Sequence, residues 1–177
     1  SAGSANTPQY TSNFPVDILL RRFNTHATGS PVFRTRYADE YVPTTDPDAP
    51  IADSSNNAKF RSNKGIGNLT SSDSNDYKYM FKRAPSFADV VYYYGTGSNR
   101  TVSHNLAATP ELMIVKRRDA SGAWRVYSSG TGAGKYLRID SNAAEATTST
   151  RWNNTAPTST VFTVGTASDV NSSSGSY

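Results

Sequence analysis

Short runs of apolar, β-branched and aromatic residues recur along the chain, each closed by Gly, Pro, Asn or Ser. Several alternate apolar with polar positions, the period of two that marks a strand with one buried face. The pattern predicts strands over 16–22, 31–37, 77–82, 88–94, 100–104, 111–118, 123–128, 135–140 and 160–164. Hairpin chemistry separates two of them, where Asp119 and Gly122 stand between Arg117 and Trp124. Gly95-Thr96-Gly97 marks a second turn, between Tyr94 and Arg100. Helix signals are sparse: 143–150, with Asn142 as a cap and Glu145 three residues on, predicts a turn or two. The segment 42–50 carries Pro43, Pro47 and Pro50 and predicts an extended surface loop. Many short strands joined by turns indicate an all-β sandwich or barrel.

The pattern also repeats. Pro15-Val16-Asp17-Ile18-Leu19-Leu20-Arg21-Arg22 parallels Pro110-Glu111-Leu112-Met113-Ile114-Val115-Lys116-Arg117-Arg118. Each is a proline, an acid, an apolar run and a basic pair, so Asp17 and Glu111 are read as structural at a strand entrance. Downstream, Pro31-Val32-Phe33-Arg34 matches Trp124-Arg125-Val126-Tyr127, and Ser-Asn-rich segments near Asp53 and Asp140 follow. Pro15 and Pro110 are 95 residues apart, a domain-sized period rather than a solenoid one. The expected architecture is therefore all-β, two tandem β-sandwich-like repeats with long polar loops and little helix. Residues 1–13 are read as an N-terminal tail or linker, 14–84 as a diverged first repeat and 85–177 as a second repeat cut short before its last strand. In the first copy Tyr77 opens the alternating run Tyr77-Lys78-Tyr79-Met80-Phe81, whereas the second copy stops at Tyr177. A fragment of a longer protein is the preferred reading. The alternative is a neighbouring chain that supplies the strand by edge pairing.

Composition narrows the class. Among 177 residues, Ser, Thr and Asn number 58, while charged residues are 18% and hydrophobic ones 36%. The low hydropathy thus comes from hydroxyls and amides. With a net charge of +4, 11 Tyr, 7 Phe and 2 Trp, disorder by charge repulsion is excluded. No run approaches the roughly 20 apolar residues that cross a bilayer as a helix, so no membrane insertion is expected. The absence of Cys removes a disulfide framework, a thiolate metal site and a Cys nucleophile. The sequence pI of about 9.3 raises nucleic acid as a partner. However, the basic groups Arg21-Arg22, Lys82-Arg83 and Lys116–Arg118 are dispersed and read as solvated strand ends.

Catalytic motifs are lacking. Only His26 and His104 are present, with neither a G-x-S-x-G elbow nor an H-E-x-x-H pair, and His104 reads as a hydrogen-bonding loop anchor. Gly130-Thr131-Gly132-Ala133-Gly134-Lys135 resembles a phosphate loop but has Ser129 and Tyr136 at the defining ends and leads into a strand, so it reads as a hairpin turn. Asp46-Pro47-Asp48 and Asp73-Ser74-Asn75-Asp76 lack the spacing of a calcium loop and read as turns. No catalytic residue, cofactor or metal site is expected. Sequons begin at Asn68, Asn99, Asn153 and Asn171. The aromatics are more suggestive: consecutive Tyr92, Tyr93 and Tyr94 must place rings on both faces of a strand. These three and Trp152 are the candidate contacts for a glycan or a protein partner, with Trp124 assigned to the core.

The stretch 77–177 resembles a repeat domain of tail-fibre and related virion proteins of tailed phages, notably marine and cyanobacterial ones. The resemblance rests on Phe81-Lys82-Arg83-Ala84-Pro85-Ser86-Phe87-Ala88-Asp89-Val90-Val91, on Arg100-Thr101-Val102-Ser103-His104-Asn105-Leu106 and on Thr109-Pro110-Glu111-Leu112-Met113-Ile114-Val115. It continues through Trp152-Asn153-Asn154-Thr155-Ala156-Pro157 and Asp169-Val170-Asn171. It implies a non-enzymatic virion component, a tail fibre or tail tip serving host attachment, located on the virion or extracellularly. Its implied partners are other virion chains in a homo-oligomer and a host-surface glycan, with no nucleic acid. The alternatives are a lectin-like carbohydrate-binding module and an extracellular filament subunit completed by strand donation.

Overall fold

The structure is a computed structural model, and it describes residues 10–22, 32–36, 38–43, 59–67 and 77–177. The described chain is all-β, mostly strand with almost no helix. It divides into two compact units. The first comprises Ser1–Asp46 and Ile51–Arg83, the second Pro47–Pro50 and Ala84–Tyr177.

The first unit contains β1 (Tyr10–Thr11), β2 (Ile18–Arg22), β3 (Val32–Thr35), β4 (Ala38–Pro43), β5 (Lys59–Ser62), β6 (Gly65–Gly67) and β7 (Tyr77–Phe81). Among the described residues two antiparallel sheets form, in the orders β1-β6-β5 and β4-β3-β2-β7. Residues 10–11, expected within an N-terminal tail, instead pair as Tyr10↔Ile66 and Thr11↔Gly65. The reason is burial: Ile66, Val16 and Leu19 are fully enclosed, with Tyr10, Phe14 and Met80 packed against them. Burying an aliphatic side chain of this size stabilises by about 1.5–3 kcal/mol, which draws the β1 segment onto β6. Asp17 then latches the sheet. Its backbone N–H donates to Phe81 O, its carboxylate accepts the Arg83 N–H at 2.8 Å, and Arg36 Nε lies 3.1 Å from its other oxygen. The structural role expected of Asp17 at a strand entrance is thereby met. Of the proline-rich 42–50 segment, Val42 and Pro43 belong to β4, and 44–50 lies outside the described residues.

The second unit contains β8 (Arg100–Ser103), β9 (Leu112–Val115), β10 (Arg125–Ser128), β11 (Lys135–Arg138), β12 (Ala146–Thr147), β13 (Val161–Val164) and the four-residue helix α1 (Ser168–Asn171). An antiparallel meander, β12-β11-β10-β9, shares one core with the antiparallel pair β13-β8. That core holds Val102, Val115, Tyr127, Trp152, Phe162, Val164, Val170 and Tyr177. The β10–β11 connection carries Gly132 at φ +76, a left-handed conformation that glycine adopts without steric cost. The glycine-rich 130–134 segment is therefore a hairpin turn.

Two sequence expectations are corrected here. The 143–150 segment forms no helix, because its middle pairs with β11 as Lys135↔Thr147 and Tyr136↔Ala146. Cross-strand bonds satisfy backbone groups that a one-turn helix would leave open. The 88–94 segment is not a regular strand either. It makes two isolated antiparallel bridges, Ala88↔Ala84 at its start and Tyr94↔Ser176 at its end, with Tyr93 exchanging both backbone hydrogen bonds with Tyr177.

Candidate contact surface

The bridge to the C-terminal segment sorts the three consecutive tyrosines. Tyr93 points inward, its ring stacked on Tyr177 at 5.0 Å and 15° and set edge-on to Phe162 at 5.9 Å. Its hydroxyl donates to Val170 O at 2.7 Å. Burial, reinforced by the neighbouring Tyr177, pushes that hydroxyl far above the ordinary phenol range. Tyr93 is thus a core residue, which corrects its assignment as a contact. The flanking rings turn outward, as the alternation of an extended backbone requires. Tyr94 is 74% exposed, and its carbonyl accepts from Arg100 Nη1 at 2.8 Å. Tyr92 is 38% exposed, with the Arg118 guanidinium 4.8 Å above its ring. A cation over one face holds such a ring in place.

Trp152 is also corrected. It is 0% exposed and meets Tyr127 edge-on at 6.1 Å, so it is a core anchor and no surface contact. Trp124 is buried, as its sequence context indicates. Of the four expected contacts, the structure keeps Tyr92 and Tyr94 at the surface. It adds Phe87, Tyr77 and Tyr79 as large exposed rings. Their exposure was hidden in the sequence because a strand-like run does not reveal which of its faces is covered.

The backbone beneath the tyrosines is rigidly held by Asn171, whose side chain is fully buried. Its Nδ2 donates to Ser98 O at 2.6 Å and Gly165 O at 2.7 Å, and its Oδ1 accepts from Thr96 N at 2.8 Å. Gly95 is required beside it, because a Cβ there would stand 2.2 Å from Ser172 O. The burial of Asn171 also removes its sequon as a glycan acceptor. Asn99 and Asn153, the starts of two other sequons, are joined by a 2.9 Å side-chain bond. Asn68 lies outside the described residues.

A second cluster gathers residues distant in sequence. Asp169 Oδ2 takes hydrogen bonds from Arg125 Nε at 2.5 Å and Arg151 Nη2 at 2.8 Å. The two guanidinium groups lie 5.0 Å and 3.7 Å from the Tyr136 ring centroid. Sequence reasoning missed this group because no short-range spacing announces it. Its chemistry is structural: one carboxylate neutralises two cations and ties α1 to the meander.

Of the histidines and loop aspartates weighed for catalysis or metals, the structure describes His104. His104 is a loop anchor: its Nδ1 accepts from Leu106 N at 3.2 Å, which leaves Nε2–H to donate to Thr158 O at 3.1 Å. Both ring nitrogens are thus engaged with backbone. His26, Asp46, Asp48, Asp73 and Asp76 lie outside the described residues. Among the described residues, no three His, Asp or Glu side chains gather as metal ligands, and no helix is long and apolar enough to cross a membrane.

No curated protein and no solved structure matches the chain. Residues 64–177 match a domain of unknown function, DUF7483, and the chain belongs to that family.

Proposed function

We propose that the chain is a non-enzymatic structural component of a phage virion, a tail fibre or tail tip that serves attachment to the host cell. In this reading the two units are tandem copies of one β-sandwich-like repeat, carried on the virion exterior and assembled as a homo-oligomer with other virion chains. The observation that carries the attachment role is the outward pair Tyr92 and Tyr94 on a backbone locked by Asn171 and the Tyr93–Tyr177 stack. Rigid, exposed tyrosines offer flat apolar faces to sugar rings and a hydroxyl to their polar edges. One such patch binds weakly, but many copies on one fibre raise the effective concentration and convert weak contacts into firm attachment. The Ser, Thr and Asn coat supports the same reading by offering hydrogen bonds without a sticky apolar surface. The resemblance of 77–177 to tail-fibre repeats supports the location.

The test has two arms. Antibody labelling and mass spectrometry of purified virions should find the chain in the particle, and its absence refutes the virion reading. Binding of the multimerised chain to an array of bacterial surface glycans should be saturable and should fall on Tyr94→Ala. Equal binding by that variant removes the tyrosine pair from the mechanism.

A further inference from the structure

The two units present the same strand in two different situations. In the first, β2 follows the Pro-acid-apolar-basic motif and is covered on both sides, by β3 and by β7. The β2–β7 ladder is antiparallel and runs from Ile18↔Phe81 through Leu19↔Met80 to Arg22↔Tyr77. In the second unit the same motif leads into β9, which pairs with β10 as Val115↔Arg125 through Leu112↔Ser128. Among the described residues no strand lies on its other side.

An open apolar strand edge is a template for another strand, and folded proteins ordinarily cover, charge or twist it away. Here it is neither short of apolar side chains nor capped by charge along its length. Leu112 is 60% exposed, whereas Val115 is buried and Met113 packs on the core. Glu111, the counterpart of the Asp17 that receives the Arg83 N–H in the first unit, is exposed. The far end of the edge is also prepared. Arg118 N donates to Ser176 O at 2.8 Å, so an extended segment already reaches the chain just beyond β9, as Tyr77 lies beside Arg22 in the first unit.

We propose that the outer edge of β9 is a docking site for the opening strand of another repeat unit of this type, a segment with the chemistry of Tyr77–Phe81. Such a strand adds by backbone hydrogen bonds, which supply affinity, while alternate side chains supply specificity. Its fourth residue occupies the place of Met80, which packs on the first unit's core opposite Leu19. Its aromatic residues take the outward positions of Tyr77 and Tyr79. The proposal rests on reading the units as tandem repeats but not on a virion location, so the two fail separately.

The experiment uses the full chain and a synthetic peptide, Tyr77-Lys78-Tyr79-Met80-Phe81-Lys82-Arg83, read by amide hydrogen exchange. On saturation, exchange at Leu112–Val115 should slow by about tenfold or more, and a peptide with proline at the Tyr79 position should give no protection. Three results overturn the proposal. One is unchanged exchange at Leu112–Val115 with the chain still folded. Another is protection confined to Ile18–Arg22, which means the peptide only replaces β7. The last is protection of Leu112–Val115 before peptide is added together with a doubled mass, which means that two copies pair edge to edge.

Discussion

The Tyr93 ring lies nearly parallel to the Tyr177 ring at 5.0 Å, and the two residues also exchange backbone hydrogen bonds. The Tyr177 hydroxyl closes a further link, donating to Ser168 O and accepting from Ser172 N, each at 2.6 Å. One C-terminal residue thus fastens the 93–95 segment, α1 and the core together. Tyr177→Ala should destabilise the second unit by about 3–5 kcal/mol, in the range for emptying a buried aromatic site. Tyr177→Phe keeps the stack and loses the hydroxyl bonds, costing about 1–3 kcal/mol. Urea unfolding followed by tyrosine and tryptophan fluorescence measures both, and equal stability of the alanine variant would contradict the packing described.

Asn171 should tolerate substitution poorly although it lies in a polar, loop-rich region. Replacing it by Ala removes the side-chain partner of Gly165 O and Thr96 N and one of the two side-chain donors to Ser98 O, which keeps Thr96 Oγ1. The expected loss is about 3 kcal/mol or more, since each buried unsatisfied group costs about 1–3 kcal/mol. Asn171→Asp should be at least as damaging, because a second carboxylate oxygen would face two carbonyls. Thermal unfolding of the two variants side by side checks the order.

Stability should fall at both pH extremes for identifiable reasons. Burial pushes the Asp140 carboxyl up, but hydrogen bonds from Arg138 Nε and Trp124 N outweigh it and hold the group below the ordinary carboxylate range. A depressed value means that the stabilisation is present above the unfolded pKa, about 3.9, and is lost as pH falls through the folded one. Asp140→Asn should therefore flatten the acid limb of a stability-against-pH curve. At the alkaline end the sign reverses. Burial first, and then the neighbouring Tyr177, raises the Tyr93 hydroxyl, so its contribution is complete below about pH 10 and lost as pH climbs above it. Tyr93→Phe should reduce that alkaline dependence in urea midpoints taken across the range, leaving the part carried by Tyr127 and Tyr177, whose hydroxyls burial also raises. An unchanged alkaline limb would count against it.

Tyr94 and Trp152 separate surface from core. Tyr94→Ala should change stability by no more than about 0.5 kcal/mol, as expected for an exposed side chain, while lowering glycan binding. Trp152→Ala should cost about 3–5 kcal/mol by opening a cavity in the core. A stable Trp152→Ala variant that loses binding would reverse the assignment made from the structure.

Local pattern determined the strands that matter most. The alternation over 77–82, the apolar runs before Arg21-Arg22 and Arg117-Arg118, and the turn at 130–134 were legible because each needs only near neighbours and the backbone's period of two. The sequence also showed the resemblance between the two motif copies, since that is a comparison of residue order. Tertiary structure alone decided which faces were covered. Tyr93 and Trp152 carry the same aromatic surface as Tyr94, and only the seating of Tyr177 and Tyr127 against them makes them core. The 143–150 segment had a helix cap in its sequence, yet pairing with β11 prevailed, because cross-strand bonds and shared burial outweigh the weak preference of a one-turn helix. The different surroundings of β2 and β9 are likewise invisible in two similar runs of residues. Whether a strand is flanked on one side or two depends on partners tens of residues away, and no local pattern encodes that.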